Sequence, residues 1–420
     1  MSLTDRTEAE RLDREDPLAQ FRDRFVIDDP ELIYLDGNSL GRLPRRSVER
    51  LGTMVEQEWG RRLIRAWNER WIDLPARVGD LLGRHLLGAA PGQVVVSDST
   101  SVNLYKLAVA ALDARPGRMA IVSNRGNFPS DRYVLEGLAA ARGLRLELAE
   151  FDDLRGPTAA AVAPLVDERT ALVSLSHVDY RSGAQADMAA INGVAHQAGA
   201  LTLWDLCHSV GSVPIELDAS GTDLAVGCTY KYLNAGPGAP AFLYVRGEHV
   251  QRLRQPIWGW FGQRDQFAMG QGYAPASDVS RFLVGTPQVL GLALVEEGAA
   301  LLAEAGIQRL RAKGIALTEL LVRLHDAWLA PLGLTLASPR DAMARGSHVA
   351  IAHPDAYRIR QALVEKAGVI PDFRAPDRIR LGLAPITTRF TDVWDAMDRL
   401  RSIVAEGVHL TINATRARVT

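Results

Sequence analysis

A short stretch of the chain, residues 201–245, holds the side chains best placed to do chemistry. An apolar run, Leu201-Thr202-Leu203-Trp204, ends in Asp205, and His208 follows in the same loop. After a second apolar run, Lys231 stands in Thr229-Tyr230-Lys231-Tyr232-Leu233-Asn234, just ahead of Gly236-Pro237-Gly238. A lysine amine in a partly desolvated setting can form a Schiff base with an aldehyde. A carboxylate at a strand end can keep a pyridine nitrogen protonated, so that the ring absorbs carbanion charge. Acid, histidine and lysine in this order predict a pyridoxal phosphate (PLP) site, with the cofactor on Lys231, Asp205 at the pyridine nitrogen and His208 beside it. Taken singly, Asp205 reads as a cap or surface acid and Lys231 as a solvated lysine; their combination favours the site.

Other residues could complete it. Ser99-Thr100-Ser101 precedes the amphipathic segment Val102–Leu112 and has the signature of a helix N-cap. Free N–H groups and the positive end of the dipole there suit a phosphate, although most such residues only cap. Phe128, in Phe128-Pro129-Ser130-Asp131, can cover a cofactor ring or pack in the core. Arg380 lies in an apolar strand and needs a partner. A substrate carboxylate would match its fork, and an internal salt bridge is the alternative.

The elements that must position these groups follow from the apolar rhythm. Strands Val94–Ser97, Met119–Ser123, Ala171–Leu175 and Leu201–Trp204 alternate with helices Val102–Leu112, Asp131–Arg142 and Met188–Gln197. Such alternation predicts an α/β fold with a mostly parallel sheet. Strands Leu224–Cys228 and Ala241–Val245 flank the lysine loop, whose shortness predicts a hairpin or edge pairing. Residues 45–85 read as helical, broken near Leu63–Trp71 and at Pro75. Residues 287–328 read as long helices. Beyond Pro331, strands Leu334–Ala337, His348–Ala352 and Ile379–Leu383 with helices Ala356–Lys366 and Asp392–Val404 predict a smaller α+β domain. Residues 1–30 read as a polar arm, helical and docked on a neighbour.

Composition narrows the class. A chain of 420 residues has room for two or three domains. A net charge of −2 gives no electrostatic case for nucleic acid or an anionic membrane. No apolar run approaches the length of a membrane helix, and the charged N-terminus lacks a secretory h-region, so a cytoplasmic setting is expected. Cys207 and Cys228 are the only cysteines. They form no CxxC pair and read as small buried hydrophobes, with no metal site expected.

The sequence resembles the kynureninase family from about Ile33 to Val393. The likeness rests on Tyr-Leu-Asp-Gly-Asn-Ser-Leu-Gly at 34–41, Asn-Phe-Pro-Ser-Asp at 127–131, Trp-Asp-Leu-Cys-His-Ser at 204–209 and Gly-Cys-Thr-Tyr-Lys-Tyr-Leu-Asn at 227–234. Gly-Trp-Phe-Gly at 259–262 and Arg-Gly-Ser-His-Val at 345–349 add to it. The resemblance implies PLP fold type I, with a large domain on a mostly parallel seven-stranded sheet and a smaller α+β domain. Residues 1–60 would form an N-terminal arm and part of the small domain, 61–305 the large PLP-binding domain, and 306–420 the C-terminal small domain.

By the same resemblance Lys231 carries PLP, Asp205 contacts the pyridine nitrogen with His208 beside it, and Phe128 stacks on the ring. Asp131 and Ser176 hydrogen-bond around the cofactor, and Thr100, Ser101 and Tyr230 bind its phosphate. Trp260 and Thr286 complete that phosphate site from the other subunit of a homodimer. Arg380 and Ser39 bind substrate, Arg380 through its α-carboxylate, and Trp67 lines the aryl pocket. Some relatives have Asn at the Thr286 position; Trp67 with Gly285 and Thr286 resembles the bacterial, kynurenine-preferring pattern.

The implied activity is hydrolysis of a carbon–carbon bond. Lys231 removes the α-proton of L-kynurenine, water adds to the γ-carbonyl, and the Cβ–Cγ bond breaks to give anthranilate and alanine. Tyr230 is the candidate general acid, and 3-hydroxykynurenine is the poorer substrate. The resemblance would place this step in tryptophan breakdown or in NAD synthesis. A cysteine desulfurase or class V aminotransferase is one rival, but a desulfurase needs a cysteine on a mobile exposed loop. A PLP-binding regulator is another, but it would need an attached module for which the chain leaves no residues.

Overall fold

The apolar runs do become strands in the computed structural model, which describes residues 4–152 and 154–413. A short strand β1 (Ile33–Tyr34) precedes the main sheet, which contains β2 (Val94–Val96), β3 (Ala120–Asn124), β4 (Arg145–Ala149), β5 (Thr170–Ser176), β6 (Leu201–Asp205), β7 (Leu224–Gly227) and β8 (Phe242–Val245). Their spatial order is β2-β8-β7-β6-β5-β3-β4. Strands β4, β3, β5, β6 and β7 run parallel, and β8 lies antiparallel between β7 and β2. The mostly parallel, seven-stranded sheet expected from the resemblance is present. The lysine loop does join a hairpin, β7–β8, although β8 is not the edge; β2 lies outside it.

The helices are α1 (Arg6–Glu15), α2 (Arg45–Thr53), α3 (Leu74–Leu82), α4 (Thr100–Asp113), α5 (Pro129–Arg142), α6 (Ala159–Val162), α7 (Met188–Gln197), α8 (Gly247–Val250), α9 (Val289–Ala305), α10 (Ile307–Leu324), α11 (Ala356–Ala367) and α12 (Phe390–Ala405). Successive strand residues point to opposite faces of the sheet. Val95, Ile121, Leu203 and Val226 share one core with α4 and α5. Val96, Val122, Trp204 and Ala225 share the other with α3, α7 and α9. Both faces are covered, so most strands are buried throughout. The edge strand β4 is only partly covered, and it carries Arg145 and Glu147, charges that guard an edge.

A second sheet contains β9 (Thr335–Leu336), β10 (His348–Ala352), β12 (Asp372–Arg374) and β13 (Arg378–Gly382), all antiparallel in the order β12-β13-β10-β9. Between α11 and β12 lies β11 (Val369–Ile370), which pairs with β1 in parallel. Leu317, Ile351, Ile379 and Leu400 of this α+β unit form a separate core, joined by Ala9, Ile33 and Leu35.

The N-terminal arm is helical, but α1 docks on its own chain. The Asp13 carboxylate accepts from the amides of Phe390 and Thr391, at 2.6 and 3.1 Å, and so satisfies free donors at the start of α12. Arg6 pairs with Asp395, and Asp16 with the buried Lys313 at 2.6 Å. Pro75 lies in the first turn of α3, where its missing N–H is not needed.

Candidate active site

The carboxyl end of β6 converges with the N-termini of α4 and α5 and the β7–β8 loop around a cavity of about 340 Å³, within the range of small-molecule sites. Each wall has a local cause. Ser99 caps α4 by accepting from the Val102 amide at 3.4 Å, leaving Thr100 and Ser101 in the first turn at the cavity edge. Asn127 accepts from the Phe128 amide at 2.9 Å, which sets Phe128 at the start of α5. Gly41 donates its amide to the Tyr230 carbonyl at 2.8 Å and braces the lysine loop. A Cβ at Gly41 would lie 2.3 Å from the Lys231 carbonyl oxygen, so only glycine allows this approach.

Asp205, Lys231, His208, Phe128 and Tyr230 all line the cavity, as does Asp131. Lys231 Nζ lies 3.3 Å from His208 Nε2 and 5.8 Å from the centroid of the Phe128 ring. The Asp205 carboxylate accepts from the Cys207 amide at 2.7 Å. Burial, and then the neighbouring Asp205 charge, push the Asp131 carboxyl well above its usual range. Its Oδ2 is buried with no hydrogen-bond partner among the described residues. Burial, and then the Lys231 charge, hold His208 well below the usual imidazole range, so it is neutral. The Tyr230 phenol is raised by burial first and by the adjacent Cys228 thiol next.

Arg380 is 1% exposed. Its Nε donates to Asp372 at 2.8 Å, its Nη2 to Ser39 Oγ at 3.2 Å, and its Nη1 to the Tyr180 carbonyl. Asp372 also accepts from Arg374 at 2.9 Å. The internal salt bridge left open by the sequence therefore exists, and Ser39 sits beside it. Tyr180 belongs to a hairpin, residues 178–185, that leaves the end of β5. Its ring meets Phe128 edge-on at 5.3 Å. The hairpin is stitched to the second sheet's approach by Gln185 N to Ala344 O at 2.9 Å and Gly346 N to Gly183 O at 2.8 Å.

Several expected residues stand elsewhere in this chain. Ser176 ends β5 and donates to Asn127 Oδ1 at 2.7 Å, outside the cavity wall. Trp67 packs on Trp71 and Phe261, and Trp260 on Phe261 and Phe267. Thr286 is exposed. None of these last three lines the cavity. Cys207 does line it, 3.8 Å from Thr100 Oγ1. It is also buried, as expected from the sequence.

The wall residues fit PLP. There is an amine to bind the aldehyde, two neighbouring acids, Asp205 and Asp131, for the ring substituents, an aromatic face, and a helix N-terminus for the phosphate. Residues 310–400 match the family model described as the kynureninase C-terminal domain. A kynureninase from Burkholderia pseudomallei (strain 1106a) is 44% identical over 421 aligned residues, covering 99% of each chain. The chain belongs to the kynureninase family. A kynureninase from Pseudomonas fluorescens is 43% identical and covers 96% of each chain. Family membership makes this a PLP-dependent enzyme. Among solved structures, a cysteine desulfurase from Escherichia coli superposes with a TM-score of 0.77 at 19% identity, covering 94% of this chain and 99% of that one. An apo cysteine desulfurase from Thermococcus onnurineus NA1 gives 0.74 at 18% identity, covering 96% and 97%. These likenesses show the fold, PLP fold type I. No helix among the described residues is long and apolar enough to cross a membrane.

Proposed function

We propose that the protein hydrolyses the Cβ–Cγ bond of L-kynurenine to anthranilate and L-alanine, with 3-hydroxykynurenine as a poorer substrate. The observation that carries this reading is that Lys231 and His208 meet at 3.3 Å on the cavity wall, while the buried Arg380 fork bonds Ser39 and the carbonyl of Tyr180, whose ring touches Phe128 of the same wall. An α-amino acid spans such a pair, its carboxylate at the arginine and its α-carbon near the lysine.

PLP, when bound, supplies the ring that withdraws charge from the substrate α-carbon. Lys231 would hold it, with Asp205 at the pyridine nitrogen, Thr100, Ser101 and the α4 amides at the phosphate, and Phe128 over the ring. The Lys231 amine, released when substrate binds, takes the α-proton. Tyr230, whose phenol is raised above its usual range, stays protonated and donates at the γ-carbonyl oxygen. Arg380 anchors the α-carboxylate, its fork oriented by Asp372 and Ser39.

The active form is a cytoplasmic homodimer in which Trp260 and Thr286 of one subunit complete the phosphate site of the other. Their exposure, near the exposed Trp258, Phe267 and Met269, supports that role. Trp67, packed on Phe261 next to Trp260, would reach the aryl pocket from the other subunit and favour the substrate without a ring hydroxyl. The test is to give the purified holoenzyme both kynurenines side by side and follow the fluorescent products. A higher kcat/KM for L-kynurenine is expected. No anthranilate would refute the reaction, and a preference for the hydroxylated substrate would refute the specificity.

A further inference from the structure

His348 has no part in the reading above. It opens β10, is fully buried, and neither ring nitrogen has a hydrogen-bond partner among the described residues. A buried polar atom left unpaired costs its full desolvation, and this ring has two. Packing alone would be better served by an apolar side chain.

Its surroundings show what the nitrogens could serve. The His348 ring lies 5.6 Å from the His208 ring, centroid to centroid, with the planes tilted by 56°. His208 Nε2 in turn lies 3.3 Å from Lys231 Nζ. For that nitrogen to accept from the amine, the single proton of a neutral His208 must sit on Nδ1. A proton on Nδ1 calls for an acceptor. A neutral His348 has one acceptor nitrogen; since neither of its nitrogens has a direct partner among the described residues, the link would run across one bridging water. Gly183 makes room for the ring. Its φ is +76°, and a Cβ there would lie 2.7 Å from the His348 carbonyl oxygen and 3.3 Å from Nε2.

The charged and titratable groups facing the two imidazoles are Lys231, Arg380 and Arg374, with Asp372 opposing them at His348. Burial and the three cations keep both rings neutral, as the arrangement requires.

We propose that His348 is a positioning residue that accepts a hydrogen bond from the Nδ1–H of His208, through a bridging water, and so fixes the tautomer in which His208 accepts from Lys231. The proposal rests on the role of Lys231 given above, but not on the identity of the substrate.

The test compares holoenzymes of the parent, His348→Leu, His348→Gln, His208→Leu and the His208→Leu/His348→Leu double variant. The first readout is the pH titration of the cofactor's visible absorbance without substrate. Loss of the His208 acceptor should weaken the protonated form at the Lys231 nitrogen, so the midpoint in His348→Leu should fall by about half a unit or more. The second is steady-state kinetics, where kcat should fall about tenfold with little change in KM. His348→Gln keeps a hydrogen-bonding head and should recover most of both. On the His208→Leu background, His348→Leu should add nothing.

A folded His348→Leu enzyme with the parental titration would overturn the proposal, as would additive effects of the two leucines. Should His348→Leu fail to fold, His348→Phe fills the site without nitrogens and faces the same outcomes. A parent that titrates normally but does not cleave kynurenine would overturn the proposed reaction only, and the spectra would still decide the role of His348.

Discussion

Replacing Arg380 with lysine should weaken substrate binding while leaving the cofactor in place. In the parent, Arg380 is already committed to Asp372, Ser39 and the Tyr180 carbonyl, and these bonds fix the plane of its fork. Lysine keeps the charge but offers one tetrahedral nitrogen, which cannot hold that frame and also present two parallel N–H groups to a carboxylate. Loss of one hydrogen bond to a charged group costs about 1.5–3 kcal/mol, or about 10- to 150-fold in affinity. Because the carboxylate is held in both ground and transition states, most of this should fall on KM. Asp372 is fully buried but keeps Arg374. The stability loss should therefore stay below the roughly 3–5 kcal/mol expected when a buried charge is stranded. The assay is steady-state kinetics on L-kynurenine, with cofactor affinity and a thermal melt as controls. An unchanged KM in a folded, cofactor-loaded variant would refute Arg380 as the carboxylate anchor.

Lys231→Ala should lose the visible absorbance, and borohydride reduction of the parent holoenzyme should fix the cofactor to the Lys231 peptide; a label on another lysine would move the site. Asp223 accepts from His196 and His249, both at 2.8 Å. Against the upward push of burial, these bonds hold its carboxyl well below the usual range, whereas His196 is raised by the same bond. The carboxylate's contribution is present above about pH 4 and lost as pH falls through the folded value, and the His196 contribution is full below about pH 6.5 and lost as pH rises through its folded value. Asp223→Asn should therefore cost about 1–3 kcal/mol, most between about pH 4 and 6.5, and a gap in denaturant midpoint that ignores pH would contradict the pairing. Refolding Lys231→Ala together with Trp260→Ala, each inactive alone, should restore activity, since one site of a mixed dimer then carries neither lesion; mixed dimers that stay inactive would place both residues in one site from one chain.

Much of the architecture was legible because buried strands declare themselves. Val94–Val96 and Leu201–Asp205 are apolar runs closed on both faces, and no other structure suits them. Arg145–Ala149 was missed because an edge strand needs only one apolar face, and Arg-Leu-Glu-Leu-Ala reads equally as the tail of α5. The two-residue strands at Ile33 and Val369 carry too little pattern to announce themselves. In the site, Asp205 and Lys231 were legible from strand-end position and spacing, and the structure brings both to the cavity wall. His348 and Asp372 were not read as site residues, since their significance lies in contacts between β10, β12, β13 and loops more than a hundred residues away. The N-terminal arm shows a different limit. Its charges gave helix propensity, but only the fold shows that Asp13 ends up at the start of α12.

The hairpin at residues 178–185 gives the molecule a load path. Its roots are in β5, its backbone is sewn to residues 344–346, its Tyr180 carbonyl is clamped by Arg380, and its Tyr180 ring leans on Phe128. The second sheet cannot swing clear of the first as a rigid plate without tearing those backbone bonds. Any swing of the second sheet would therefore have to carry the hairpin with it and bend the chain where the hairpin leaves and rejoins the main layer, close to Ser176 and Ala186. A pull on Arg380 would then be transmitted through Tyr180 to Phe128 on the cavity wall.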